Sequence, residues 1–245
     1  MNDLANNLNA SPRINIKAVI KEAWGLVYGM KWPVFWIGVL LPFAYFILLF
    51  IAMLILVPGK QYMSLPFLLI SGCISLLVIW CFLAIIVMLG VRQAIGLSVD
   101  VNVVYTHCME VKDKLVYLAL IWLSLTGSYF FIKFMIGQNP VLNILLYAFF
   151  LYLKLPLIIF GIPLVVTQRG DMAMTLEESY KAMNRHWPQI LACFLIMIGI
   201  LTVSALPFGI GLIWTMPMYY AMTGILFRDI YGLKRRKQRQ EQPGG

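Results

Sequence analysis

Six long apolar runs alternate with short polar stretches along the chain, over residues 32–57, 64–90, 115–132, 141–167, 187–206 and 208–227. Runs of about 18 residues or more are long enough for a helix to cross a hydrocarbon core of about 30 Å. The pattern predicts an all-α integral membrane protein with six transmembrane helices. The first, second and fourth runs are longer than a perpendicular helix needs, which predicts tilt or kinks. Thr126, Gly127 and Ser128 dilute the third run. Pro207 and the glycines Gly209 and Gly211 separate the fifth from the sixth, a setting for a tight reversal.

The polar stretches are themselves patterned. Val104, Cys108, Val111 and Leu115 pair with Leu176, Tyr180, Met183 and Trp187 at a constant offset of 72. Steps of four, three and four mark one face of a helix. Val19, Ala23, Leu26 and Met30 show the same steps and precede the second set at an offset of 85, although Trp32-Pro33 matches Trp187-Pro188 at 155. Thr175, with Glu178 three residues on, reads as a capping box that starts the third amphipathic helix. These features predict three repeats of an amphipathic helix followed by a transmembrane hairpin, over about residues 14–92, 101–169 and 174–228. Residues 1–233 then form one membrane domain, and 234–245 a basic, disordered tail. Amphipathic stretches between spans serve first as elbows that steer the chain into each hairpin, and second as surfaces for anionic lipid.

Composition and charge sharpen the topology. The chain is 62% hydrophobic and 12% charged, about half the charge of a soluble domain. Counting Lys and Arg outside the spans gives 16 on one set of alternate segments and 2 on the other. The richer side is the cytoplasmic one, so both termini are expected there. The net charge of +9 is a topology signal and points to no nucleic acid. The stretch before the first run, from Met1 to Lys31, is polar or amphipathic, so the first span is expected to act as its own uncleaved insertion signal.

Candidate chemistry is sparse. The spans hold no carboxylate, no Gly-x-Ser-x-Gly and no His-Glu-x-x-His. Cys73, Cys81, Cys108 and Cys193 lack metal-ligand spacing, and His107 and His186 lie in the amphipathic stretches. The reading is therefore non-enzymatic, without metal or cofactor. Lys154 is the exception, lying midway in the fourth run with Pro156 just after it. A central lysine costs about 2.5–3.5 kcal/mol on insertion scales and is a functional candidate by default. As a functional group it suits a lipid phosphate, a substrate carboxylate or a partner's acidic residue; as a packing group it bonds the carbonyl near Tyr152 freed by Pro156 and the hydroxyl of Tyr147 or Tyr152. Arg92, Arg169 and Arg228 close the second, fourth and sixth runs and are candidate phosphate anchors at the interface.

Leu176 to Tyr180, Gly209 to Ile213, Pro217 and Phe227 to Gly232 carry a resemblance. The pattern resembles bacterial six-span inner-membrane families that include the membrane domain fused to some glycerophosphodiester phosphodiesterases. No phosphodiesterase domain accompanies it here, so that activity is not implied. The resemblance implies a bacterial inner-membrane location. The leading functional expectation is a non-catalytic protein engaging lipids, anionic ones included, or membrane-protein partners in envelope maintenance. The rivals are a small-solute or lipid transporter with Lys154 lining the path, and an accessory subunit of a larger membrane complex.

Overall fold

The computed structural model describes residues 14–56, 65–137, 139–168, 171–206, 209–233 and 235. All secondary structure among them is helical. Helix α1 (Ile16–Phe35) runs through a π-helical turn (Trp36–Leu40) into α2 (Leu41–Leu56). Then come α3 (Leu65–Ile95), α4 (Val101–Glu110) and α5 (Lys112–Ile136). Helix α6 (Pro140–Pro156) continues through a second π-helical turn (Leu157–Gly161) into α7 (Ile162–Gln168), followed by α8 (Met172–Ala205) and α9 (Leu212–Ile230).

Among the described residues, five helical stretches are long and apolar enough to cross a membrane: Ile16–Leu48, Leu77–Ile95, Lys112–Ile136, Pro140–Thr167 and Met172–Ala205. The chain is a multi-pass membrane protein. Its outer flank fits lipid, with Phe43, Leu48, Phe130, Phe134, Ile144 and Leu195 all exposed. The last predicted span, α9, falls outside the five because Trp214, Pro217, the tyrosines Tyr219 and Tyr220, Arg228 and Asp229 lower its hydropathy. It is nevertheless deeply enclosed. Thr215, Met218, every residue from Ala221 to Phe227, and Ile230 are buried, with α1 and α3 as its principal neighbours. A helix wrapped in protein does not need an apolar outer face.

Local chemistry explains the element boundaries. Asn15 caps α1 by accepting from the Ala18 N–H at 3.3 Å. Asp100 caps α4 through the N–H groups of Asn102 and Val103. Asn139 caps α6 ahead of Pro140, whose missing N–H costs nothing in a first turn. Each π-helical turn begins within three residues after a proline, Pro33 or Pro156, where the lost donor and the ring clash widen the ladder. Kinks therefore appear in two of the three over-long runs, and α3 stays a continuous helix. The capping box expected at Thr175 is absent. The helix begins a turn earlier at Met172, and the Thr175 hydroxyl donates back to the Asp171 carbonyl at 3.0 Å.

The burial pattern revises the spacing of the amphipathic stretches. Val104, Cys108, Val111, Leu115, Leu118 and Ala119 are buried, and so are Ser179, Met183, His186, Ile190, Cys193 and Phe194, each at an offset of 75 from its counterpart. The two buried faces align at 75, three residues from the offset of 72 in the apolar pattern. A shift of three residues is nearly one helical turn, so apolar periodicity alone barely separates the two registers. The backbone agrees with 75: Val111 breaks its helix at φ −113°, ψ 20°, and His186 does so at φ −114°, ψ 18°. Val19, Ala23, Leu26, Met30 and Val34 are buried in α1, at an offset of 85 from their counterparts in α4 and α5. Helix α1 has no such elbow and continues past Trp32-Pro33.

Helices α3 and α9 cross with their backbones in contact. A Cβ on Gly224 would lie 2.2 Å from the Gly90 carbonyl oxygen, and one on Gly90 would lie 2.2 Å from that of Tyr220. Small residues let membrane helices approach closely enough for dispersion to hold them. Gly224→Ala is expected to destabilise the protein by about 1–3 kcal/mol, read as a lowered Tm in detergent. Gly72→Ala, where an added methyl meets nothing within 4 Å, should leave Tm unchanged or slightly raised.

Candidate functional site

Lys154 lies on the last turn of α6, half-buried. Its ammonium sits 5.1 Å from the centroid of the Trp122 ring and 5.7 Å from that of Tyr129, both on α5. Trp122 in turn packs on Trp80 of α3 at 5.5 Å. Cation–π contact with two rings contributes about 0.5–2 kcal/mol when desolvated, which offsets part of the cost of the buried charge. The expected hydroxyl partners are placed differently. Tyr147 is exposed and packs edge-on against Tyr129. The Tyr152 hydroxyl donates to Asn184 Oδ1, and its ring meets Trp187 edge-on. Near the disturbed turn, the Tyr180 hydroxyl donates to the Leu153 carbonyl at 2.7 Å. Lys154 is thus held by aromatic faces, a partner class its flanking sequence does not reveal.

The arginines divide. Arg228, near the end of α9, donates through Nη1 and Nη2 to the two carboxylate oxygens of Glu22 on α1, at 2.6 and 2.9 Å. Nη1 also donates to the Ala94 carbonyl of α3 at 3.0 Å. Nε donates to Asp229 Oδ1 at 2.8 Å, and Nη2 lies 2.7 Å from the same oxygen. A guanidinium has five N–H donors, and protein oxygens face all of them. Its side chain is 11% exposed. The anchor expected to reach for a phosphate is instead a three-helix clamp, because neighbouring carboxylates have taken its donors. Arg235 lies 3.5 Å from Glu22 and adds a second positive charge. Gln93 donates to the Leu26 carbonyl beside the clamp, passing over Gly29, where a side chain would collide with it.

Arg92 occupies the matching place at the end of α3. Both arginines open the sequence Arg-x-x-x-Gly-Leu. Both helices close the same way: Gly96 (φ 82°) and Gly232 (φ 65°) take left-handed backbone, and the next leucine N–H bonds the arginine carbonyl at 2.9 Å. The side chains then diverge. Arg92 donates through Nε to the Ser98 carbonyl at 3.1 Å and faces a cleft of about 350 Å³ shared with His107 and Thr167. Arg169 lies outside the described residues.

Glu178, expected to complete a capping box with Thr175, is buried by the fold. It is 8% exposed, and its Oε2 has no hydrogen-bond partner among the described residues. The fully buried Tyr231 hydroxyl also lacks one. Burial, then the nearby Glu178 charge, raises the Tyr231 phenol well above its ordinary range. The burial of Glu178 has no signal in the sequence, where it stands among Glu177, Lys181 and Asn184. Cys108 and Cys193 are buried free thiols. Burial foremost, with Cys81 nearby, pushes Cys108 up to about 11, so it packs as a thiol.

No family model, curated protein or solved structure matches the chain.

This geometry sets two expected outcomes. Arg228→Met strands Glu22 and Asp229 with Arg235 alone and is expected to cost about 3 kcal/mol or more. Replacing the pair, Glu22→Met with Arg228→Met, should recover most of that loss, as read by Tm in detergent. Separately, Lys154→Met should change stability by no more than about 1 kcal/mol, since the cation–π gain and the desolvation cost both vanish. A double-mutant cycle of Lys154→Met with Trp122→Leu should give a coupling of about 1 kcal/mol.

Proposed function

We propose that this chain is a non-catalytic six-span protein of the bacterial inner membrane that engages anionic lipid from its cytoplasmic face in envelope maintenance. The supporting observation is the outward stripe of α1. Lys17, Lys21, Trp24 and Tyr28 follow one another by four, three and four residues and are all exposed. Lysines that step into aromatic residues mark the part of a helix that sits at membrane-headgroup depth. Beneath the stripe lies an open groove of about 720 Å³, lined by Ile16, Lys17, Ile20, Lys21, Trp24, Ile196 and Met218. Its walls suit acyl chains, and its two lysines suit a negative headgroup.

In this reading α9 is the sixth span. Its 19 residues give a length of about 28 Å, close to the hydrocarbon thickness. The burial offsets of 85 and 75 then mark three related helix-plus-hairpin units. The Arg92 and Arg228 caps share the basic, cytoplasmic side with both termini. The aromatic seat of Lys154 favours a packing role over a transport path.

The test is native mass spectrometry of protein released from nanodiscs that mix phosphatidylcholine with phosphatidylglycerol. The wild type should retain phosphatidylglycerol preferentially. With about 1 kcal/mol per surface lysine, Lys17→Gln with Lys21→Gln should reduce that enrichment by about thirtyfold, and high salt should act in the same direction. Equal headgroup retention by two equally stable proteins would sink the proposal.

A further inference from the structure

We propose that the cleft between the end of α3, α4 and the end of α7 binds a phosphomonoester group carried on an apolar tail. This is a second site, separate from the α1 groove, with its own residues. Identical backbone motifs present Arg92 and Arg228, yet Arg228 is saturated by protein oxygens and Arg92 is not. Among the described residues Arg92 makes one hydrogen bond, Nε–H to Ser98, and no ion pair. That bond fixes the plane of the guanidinium and leaves both Nη groups, a fork matched to two oxygens of one phosphate.

The cleft supplies the remaining recognition. Among the described residues Arg92 is the charged one of its lining, and Val91, Ile95, Leu97, Val104 and Val166 give it apolar walls. A bare, fully hydrated anion gains nothing from such walls, whereas an ester with a hydrocarbon tail does. Its volume of about 350 Å³ falls within the range of small-ligand sites, about 300–1,000 Å³. His107 sets the form of phosphate. Its Nδ1 lies 2.7 Å from the Val103 carbonyl, an acceptor that has no proton to give, so the Nδ1 nitrogen carries the hydrogen. In the neutral ring Nε2 is then an acceptor. The Thr167 hydroxyl spends its hydrogen on the Pro163 carbonyl at 2.7 Å. A donor fork and an acceptor nitrogen that line one cleft suit a phosphate that offers both oxygens and one P–OH. A monoester has that hydroxyl and a diester lacks it.

The experiment uses the full chain in phosphatidylcholine nanodiscs, titrated calorimetrically with dioctanoyl phosphatidic acid, dioctanoyl phosphatidylglycerol and inorganic phosphate. Phosphatidic acid should bind saturably and more tightly than phosphatidylglycerol. Arg92→Gln should weaken it at least tenfold, Arg92→Lys should restore part of the loss, and His107→Phe should erase the preference over phosphatidylglycerol. Leu97→Trp, which fills the cleft without changing charge, should also abolish binding and guards against an unfolded arginine variant. Inorganic phosphate that fails to compete assigns the site to a lipid. Competition at similar concentration removes the role of the apolar walls and overturns the amphiphile. Unchanged binding in folded Arg92→Gln and Leu97→Trp proteins, or equal affinity for both lipids, overturns the site. The variant Lys17→Gln with Lys21→Gln should leave this binding intact, so failure of the α1 groove and failure of this cleft are told apart.

Discussion

The rest of the bundle depends on the close crossing of α3 and α9. At Gly90 and Gly224 two backbones meet with no side chain between them. In lipid there is little hydrophobic drive to pull helices together, so shape must do it. Close approach at one point brings the ends of both helices beside α1. There Arg228 finds Glu22, Asp229 and the Ala94 carbonyl. The charged clamp and the glycine contact are thus linked: one sets the distance, the other sets the rotation and register. A guanidinium with every donor engaged adds geometric specificity as well as energy. Such a cluster is tolerable in this position because each charge meets an opposite one.

The same cap motif, used twice, separates structure from candidate function. Gly96 and Gly232 solve an identical backbone problem, ending a helix through left-handed φ. The fate of each arginine then depends on its neighbours. Arg228 faces α1, which brings a carboxylate. Arg92 faces α4 and α7, which bring apolar side chains and one imidazole. A cap that is the same in backbone and different in environment leaves one arginine as a bolt and the other with both Nη groups unspent.

Lys154 shows how a costly residue is accommodated without an acid. Lys154 and Tyr152 sit beside a proline-disturbed turn, as their spacing implies. The hydroxyls of that region satisfy other groups: Tyr152 turns to Asn184, and Tyr180 to Leu153. The ammonium rests on ring faces from α5. Aromatic residues on the adjacent helix were visible in the sequence, but nothing there ties Trp122 and Tyr129 to position 154. That pairing is a product of how α5 and α6 pack.

The sequence by itself determined the all-helical class and the multi-pass character, and named three over-long runs, two of which bend. These follow from local rules: hydrocarbon transfer, proline's missing donor, and side-chain caps such as Asn139. It also marked Arg92 and Arg228 as candidate interfacial anchors, and Lys154 as a costly charge inside an apolar run. Tertiary structure decided what each of them does. The register that pairs Val111 with His186, the burial of Glu178 and the division between Arg92 and Arg228 depend on which helices become neighbours. Helical periodicity tells a helix which face to bury to within about a turn. It does not say what that face will meet.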